Sequence, residues 1–218
     1  MAAAADLSPL TEKISSLYEE ESGQAVRFVV GSSGLLARQI EQGAPFDVYL
    51  SANARYVEDL MRKGKVAPDS VSVYALGRLG IWWKGGEIRE AKELLRPGIR
   101  AIAIANPAHA PYGEAARDYL QRAGVWNQVE AKLVFGENVR QAAQFTASGN
   151  ADALVSSWTL VRPMKGSLVP SDAHAPIRQA GGVVAASSRA GEARRFLQIL
   201  GKPAARALFQ EHGFDLPE

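Results

Sequence analysis

The sequence predicts an α/β fold in which mostly parallel sheets are flanked by helices. Short apolar runs alternate with amphipathic segments of about 10 to 15 residues, the pattern typical of strand–helix–strand units. One run, "AIAIAN" at 101–106, is apolar throughout, as expected of a strand buried on both faces. The chain has 218 residues, of which 47% are hydrophobic, so it is long enough to bury such a core.

The first part of the chain is predicted to run helix, strand, helix, strand, helix. Apolar residues from Leu7 to Tyr18 recur at helical spacing, which predicts a helix near 7–20 with Asp6 or Ser8 as its cap. Strands are then predicted at 25–30 and 46–51, and helices from Gly34 and around Tyr56, the second ending at Gly64.

The remainder repeats the alternation. Strands are predicted at 77–83, where a crossover is the alternative, and at 101–106, 132–135, 152–157 and 181–187. Helices are predicted at 113–124 and 137–149, and two more around Phe196 and Leu208. Ligands in such folds lie beyond the carboxyl ends of the strands, so these ends are where a site is expected.

Composition excludes several classes of function. The formal charge is +2 and the basic residues are scattered, which argues against a nucleic-acid partner. The absence of cysteine excludes thiol catalysis, disulfides and thiolate metal sites. No apolar run approaches the ~20 residues that span a bilayer, and "MAAAADLSPL" does not resemble a signal peptide, so we expect that a signal has been removed.

Catalytic patterns are weak. The histidines at 109, 174 and 212 show no ligand or triad spacing, and the chain contains neither a phosphate-loop motif nor a Gly-x-Ser-x-Gly nucleophile turn. "GSSG" at 31–34 precedes a helix and has two readings. The serines either cap the helix in the ordinary way, or they form with its first amides an anion site that needs no lysine. We therefore predict no enzyme.

Small or polar residues recur at the strand-to-helix junctions. Each junction has ordinary capping as one explanation. Several such junctions on one side of two sheets would instead direct amide N–H groups at one small oxyanion. The positions concerned are Asp6, Ser33, Ala52, Tyr112 and Val139.

Six segments resemble the periplasmic molybdate-binding proteins of ABC transporters. These are "AAAADL", "GSSGLLARQIEQGAPFDVYLSA", "IAIANPAHAPYGEAA", "FGENVRQAAQF", "GNADALVSS" and "LFQEHGFDLP", in the family's order and spacing, with the start of an Ala-Asp-Leu subgroup. The resemblance implies a two-lobed periplasmic-binding-protein fold with molybdate or tungstate in the interlobe cleft. It places lobe 1 at 1–76 plus 175–218 and lobe 2 at 77–174.

The resemblance also implies the ligand-binding residues. Ser33 would contribute its hydroxyl and amide, in a turn shaped by Ser32 and Gly34. Ala52, Tyr112 and Val139 would contribute backbone amides. Two positions depart from the family pattern, since Asp6 stands where many members have Ser and Ser157 stands where many have Tyr. Molybdate would be bound through its oxygens, so no residue is expected to ligate a metal cation directly.

Asp6 is the more demanding departure. Two unit charges about 4 Å apart repel by roughly 4 kcal/mol at an effective dielectric constant near 20, and a dianion is repelled more strongly. Either the carboxyl group is protonated and donates a hydrogen bond, or it caps the helix while the backbone amide binds the anion. We favour the cap.

The resulting functional expectation is a periplasmic solute-binding protein. It would capture the small oxyanion without a cofactor, deliver it to a membrane permease of an ABC importer, and act as a monomer. Cavity size would exclude sulfate, whereas phosphate keeps a proton that a site made only of donors cannot accept. The alternatives are the same fold with another oxyanion or a small carboxylate as ligand, or a serine-dependent enzyme.

Overall fold

The computed structural model describes residues 1–217 and divides the chain into two compact units. Unit 1 comprises Met1–Leu76 and the chain from Arg178 onward, and unit 2 comprises Gly77–Ile177. The sequence predicts boundaries at 76/77 and 174/175, so the second crossover lies slightly later in the structure. Within residues 1–217 no helix has both the length and the apolar character needed to cross a membrane.

Unit 1 contains a five-stranded sheet. Its strands are β1 (Ala2–Ala4), β2 (Val29–Gly31), β3 (Val48–Ser51), β4 (Ser72–Gly77) and β10 (Ile177–Val183). Its helices are α1 (Thr11–Ser22), α2 (Ser33–Glu41), α3 (Ala54–Arg62), α8 (Ala190–Leu200) and α9 (Pro203–Glu211). The strand order is β2-β1-β3-β10-β4; β1 is parallel to β2 and β3, and β10 is antiparallel to β3.

Alternation along the strands of unit 1 divides its core into two layers. Ala3 and Leu50 pack in one layer with apolar residues of α1, α8 and α9. Ala2 and Tyr49 pack in the other layer with residues of α2 and α3. Successive strand residues point to opposite faces, so the buried sheet is covered by helices on both sides.

The first element is a strand, and the first helix begins later than the start predicted near residue 7. Ala2–Ala4 pairs on both sides, with β2 and with β3, and is buried. Alanine favours helices and is depleted in strands, so local propensity concealed this strand. The helix α1 starts at Thr11 after a short 3-10 turn, Ala5–Leu7, and Pro9 lies before it rather than in its first turn.

Unit 2 contains a second five-stranded sheet. Its strands are β5 (Leu79–Trp83), β6 (Ile102–Ala105), β7 (Leu133–Gly136), β8 (Ala153–Ser157) and β9 (Ser167–Leu168). Its helices are α4 (Pro111–Arg122), α5 (Trp126–Val129), α6 (Val139–Ala147) and α7 (Trp158–Val161). The strand order is β7-β6-β8-β5-β9; β6 is parallel to β7 and β8, and β5 is antiparallel to β8 and β9.

Other strands also differ from the sequence-based expectation. The strand predicted at 181–187 begins earlier, at Ile177, and ends at Val183. The strand β4 at Ser72–Gly77 and the two-residue strand β9 were not predicted. Both sheets are mixed, because β5 and β10 pair antiparallel with strands whose other pairings are parallel.

Asp152 joins two parts of unit 2 just before β8. Its carboxylate accepts hydrogen bonds from the amides of Arg100 at 2.7 Å and Ala101 at 3.1 Å, and forms an ion pair with Lys84 at 2.5 Å. The hydrogen bond from Lys84 is the largest of the effects that lower the pKa of Asp152 from 3.8 to about 2, and the two amides lower it further. The ionised carboxylate thereby stabilises the start of both β6 and β8.

We predict that Asp152→Asn lowers the free energy of unfolding at neutral pH by about 2 kcal/mol. This is the free energy that corresponds to the difference between the ordinary and the folded-state pKa of Asp152. The folded-state pKa is depressed, so this contribution is complete above the ordinary pKa and is lost as the pH falls toward about 2. Urea unfolding at several pH values measures it. The exposed carboxylate Asp69, paired with Arg194, provides the control Asp69→Asn, for which we expect under about 1 kcal/mol. An equal loss in both variants contradicts the assignment.

Candidate functional site

The predicted residues of unit 1 lie at one edge of its sheet. β1 is in register with its two parallel neighbours, with Ala4 opposite Gly31 and Ala3 opposite Leu50. Parallel strands end at the same edge, and the chain after each of these three ends carries a predicted site residue. We call this group, Asp6, Ser32, Ser33 and Ala52, the unit 1 edge.

Ser33 is the first residue of α2, and its side chain is almost fully buried. Its Oγ accepts a hydrogen bond of 3.1 Å from the amide of Ala52, and its carbonyl accepts one of 2.7 Å from the Tyr49 hydroxyl. Burial is the main cause that raises the pKa of Tyr49, which therefore remains a protonated donor. Because the Ser33 oxygen already serves as an acceptor, the hydroxyl proton is the group it can offer to an anion.

The start of α2 bears on the two readings that the sequence left open. Ser32 occupies the N-cap position, with extended backbone angles, but its side chain does not make a capping hydrogen bond. The first helical bond at this end joins the Leu36 amide to the Ser32 carbonyl at 2.9 Å. The amides of the preceding turn have no acceptor within the helix, and they carry the positive end of its dipole.

The expectation that Asp6 caps the first helix is wrong. Asp6 lies inside the 3-10 turn Ala5–Leu7, whose N-cap is Ala4, and α1 has Leu10 at its N-cap; neither end has a side-chain capping bond. The Asp6 side chain is buried, and its Oδ2 accepts a hydrogen bond from Nε2 of Gln179. The carboxyl group is held by a partner that is distant in sequence.

Gln179 and Tyr74 were not predicted as functional residues. The Tyr74 hydroxyl donates to Oε1 of Gln179 at 2.8 Å, and Gln179 donates in turn to Asp6. Burial, followed by the charge of Asp6, raises the pKa of Tyr74 well above its ordinary value. No signal in the sequence pointed to Gln179, because it precedes the strand predicted at 181–187 and only the structure places it within β10.

The predicted residues of unit 2 also lie at one sheet edge. β6 is parallel to β7 and to β8, so all three strands end on the same side. Tyr112 follows β6, Val139 follows β7, and Ser157 is the last residue of β8. We call this group, Tyr112, Val139 and Ser157, the unit 2 edge.

Two helices begin at the unit 2 edge. Pro111 and Tyr112 are the first residues of α4, and Val139 is the first residue of α6. Asn138 caps α6, with its side-chain oxygen accepting from the amides of Arg140 and Gln141 at 3.0 and 3.2 Å. The cap therefore does not use the amide of Val139, which belongs to the first turn and has no acceptor within the helix.

The two serines at the end of β8 differ in their surroundings. Ser157 is fully buried, and its Oγ lies 3.0 Å from Oγ1 of Thr159. Ser156 is also fully buried, and within residues 1–217 its Oγ has no hydrogen-bond partner. The residues alone do not rank the two serines, and the family spacing points to Ser157 as the ligand-binding residue.

The groups at both edges are suited to binding an anion through its oxygens. They are backbone amides and hydroxyls, apart from the carboxyl of Asp6. In the described part of the chain no three His, Asp or Glu side chains are arranged to bind a metal cation. Amides at helix N-termini and hydroxyls are donors that bind oxyanions.

The profile of the bacterial extracellular solute-binding proteins matches residues 1–215. The chain belongs to this family. It is 33% identical to the molybdate-binding protein ModA of Rhodobacter capsulatus over 217 residues, which cover 98% of this chain and 86% of that protein. It is 28% identical to YvgL of Bacillus subtilis, a putative ABC transporter substrate-binding lipoprotein, over 98% of this chain and 85% of that protein.

A solved family member has the same fold. The periplasmic molybdate-binding protein of Azotobacter vinelandii superimposes with a TM-score of 0.93 at 28% identity, over 100% of this chain and 98% of that one. The predicted α/β periplasmic-binding-protein fold and the resemblance to the molybdate-binding proteins are thereby confirmed. The relatives are solute-binding proteins rather than enzymes.

We predict that Gly113→Ala disturbs the unit 2 edge. A Cβ at Gly113 would lie 2.2 Å from the carbonyl oxygen of Ala105, the last residue of β6, so the start of α4 has to move. We expect a loss of about 1–3 kcal/mol in unfolding free energy, measured by urea titration.

The matched control is Gly191→Ala. Gly191 also lies near the start of a helix, α8, but a Cβ there meets nothing within 4 Å. Alanine should stabilise this helix by roughly 0.5–1 kcal/mol. If both variants shift stability in the same direction, close packing at Gly113 is not the cause.

Proposed function

We propose that this protein captures molybdate or tungstate for an ABC importer and performs no chemical reaction on it. The single observation that carries the proposal is the common placement of the seven residues. In each unit three parallel strands end at one edge, and every residue proposed from the resemblance lies at such an edge. Relatives that span nearly the whole chain are named as molybdate-binding proteins, which supports the choice of ligand.

The proposed binding mode uses preorganised neutral donors. Ser33 offers its hydroxyl and amide, and Ser157 offers a hydroxyl. Asp6, Ala52, Tyr112 and Val139 offer amides, and Ser32 shapes the turn before α2. The Ala52 amide donates to Ser33 Oγ, which keeps the two groups adjacent, and it would share its single N–H with, or transfer it to, an anion oxygen on binding. Donors fixed in advance require little rearrangement on binding. No cofactor is proposed.

The contacts of Ser33 support binding rather than catalysis. A nucleophilic serine requires a base that accepts its proton. The contact that the structure provides to Ser33 Oγ comes from the Ala52 amide, which is a donor. We therefore propose that the protein is not an enzyme and that Ser33 keeps its proton to donate to the anion.

The proposed setting is the periplasm. A permease subunit in the membrane is the proposed partner that receives the anion, and the working form is proposed to be a monomer. The family description as extracellular solute-binding proteins and the naming of one relative as an ABC transporter lipoprotein support this setting. No nucleic-acid partner is proposed.

We predict that molybdate and tungstate, each at about 1 mM, raise the thermal unfolding midpoint by several degrees at neutral pH. A site of micromolar affinity adds roughly 4 kcal/mol under those conditions. Sulfate and phosphate at the same concentration should add far less. Differential scanning calorimetry of the same preparation with each anion provides the measurement.

If only a different oxyanion raises the unfolding midpoint, the proposed ligand is wrong, whereas the fold and the two edges stand as described. Asp6 and Ser157, the two departures from the family pattern, would then be the residues to examine. If no anion shifts the midpoint, the proposed function is wrong.

We predict that Ser33→Ala weakens molybdate binding by about 10- to 100-fold, because a hydrogen bond to a charged group is worth roughly 1.5–3 kcal/mol. Titration calorimetry measures the dissociation constant. The unfolding free energy without ligand should fall by about 1 kcal/mol, since the Ala52 amide loses one acceptor. Ser15→Ala is the control, because the Ser15 hydroxyl bonds only locally to Thr11 in α1; unchanged affinity is expected there. Equal effects on affinity would exclude a specific role for Ser33.

A further inference from the structure

The carboxyl group of Asp6 is fixed by a chain of hydrogen bonds within unit 1. The Tyr74 hydroxyl, from β4, donates to Oε1 of Gln179 in β10 at 2.8 Å. Nε2 of Gln179 then donates to Oδ2 of Asp6, in the turn that follows β1. All three side chains are buried, Asp6 to 1% exposure and Gln179 completely.

This chain determines the orientation of the Gln179 amide. Tyr74 remains protonated because its pKa is raised, so its hydroxyl donates to the amide oxygen and turns the amide nitrogen toward Asp6. The carboxyl group of Asp6 thus serves as an acceptor at the unit 1 edge. Gln179 precedes Ala180, which pairs with Ser51 at the end of β3, so the carboxyl group that Gln179 holds lies near this edge rather than at a helix cap.

An oxyanion at the unit 1 edge brings a second acceptor to the same place. A carboxylate oxygen and an oxygen of a dianion both accept hydrogen bonds and repel one another. The contact becomes favourable when one proton lies between the two oxygens, because the proton removes one negative charge and provides a donor.

Building on the proposed oxyanion function, we propose that anion uptake is coupled to uptake of one proton shared between Asp6 and an anion oxygen, with Gln179 as the positioning residue. In this proposal Asp6 is ionised in the free protein, the free ligand is a dianion, and solvent supplies the proton. The complex contains one hydrogen bond between the carboxyl group and the anion. No other bond forms or breaks.

A shared proton provides selectivity by oxygen basicity in addition to size. Molybdate and tungstate oxygens are more basic than those of sulfate, so they share a proton with a carboxylate at lower free-energy cost. Sulfate is disfavoured even where it fits the site. Hydrogen phosphate carries its own proton and would bind without further proton uptake, so its exclusion rests on the other donors and on the cavity size.

The test is titration calorimetry of molybdate into the intact protein, in buffers of different ionisation enthalpy. The dependence of the observed heat on the buffer yields the number of protons taken up for each anion bound. We expect a value near one at neutral pH, and a dissociation constant that rises by about tenfold for each pH unit above neutrality.

Variants locate the proton. Asp6→Asn removes the ionisable group with little change in shape, and Asp6→Ser restores the residue common in the resembled family. Both are expected to bind molybdate with proton uptake near zero and to discriminate less against sulfate. The control is Asp69→Asn, because Asp69 is an exposed carboxylate paired with Arg194. This variant should keep a proton uptake near one for each anion bound. Gln179→Met removes the donor to Asp6 and should give a proton uptake between zero and one that depends more strongly on pH.

The outcomes separate the two proposals. If molybdate gives no binding heat with the unmodified protein, the proposed function fails. If molybdate binds with proton uptake near zero and with a dissociation constant that does not change with pH, the function stands and the shared proton is excluded. Unchanged uptake in Asp6→Asn would likewise overturn the role of Asp6. The measurement on the unmodified chain decides the matter even if a variant does not fold.

Discussion

Three of the candidate donors depend on one constraint, which is that the first amides of a helix lack acceptors within that helix; they are the amides of Ser33, Tyr112 and Val139. A parallel strand followed by a helix places such amides at the carboxyl edge of its sheet. Both units repeat this arrangement three times, through β1, β2 and β3 in one unit and β6, β7 and β8 in the other. An anion is the natural acceptor for these donors, and the helix dipoles add to the attraction.

Close approach of helix and strand is what makes the amide arrangement possible. The small residues Ala2–Ala4 occupy the middle of the first sheet, where β1 pairs on both sides and is covered by helices on both faces. At Gly113 and Gly136 a side chain would collide with the backbone of the neighbouring turn. Small residues at these places reflect packing at the edges as much as any local preference of the chain.

The alternation of apolar runs and amphipathic segments predicted most strands and helices, because burial on both faces leaves a clear pattern. The pattern failed for β1, whose three alanines indicate a helix until their partners β2 and β3 are known. It failed also for β4 and for the start of β10, where the chain crosses between the units. Strand pairing over long sequence distances decides these elements, and a local window does not contain that information.

The same limit explains why the behaviour of Asp6 was predicted wrongly. Locally, an aspartate before a helix is a good cap. The observed partner, Gln179, is 173 positions away and is itself oriented by Tyr74. A buried carboxyl group with an organised amide donor is costly to retain unless it performs a task. The proposed shared proton assigns such a task, because a carboxyl group among amides and hydroxyls needs a proton to face an oxyanion. Under that proposal, the departure from a neutral serine changes which property of the anion the edge recognises, from size alone to size together with basicity.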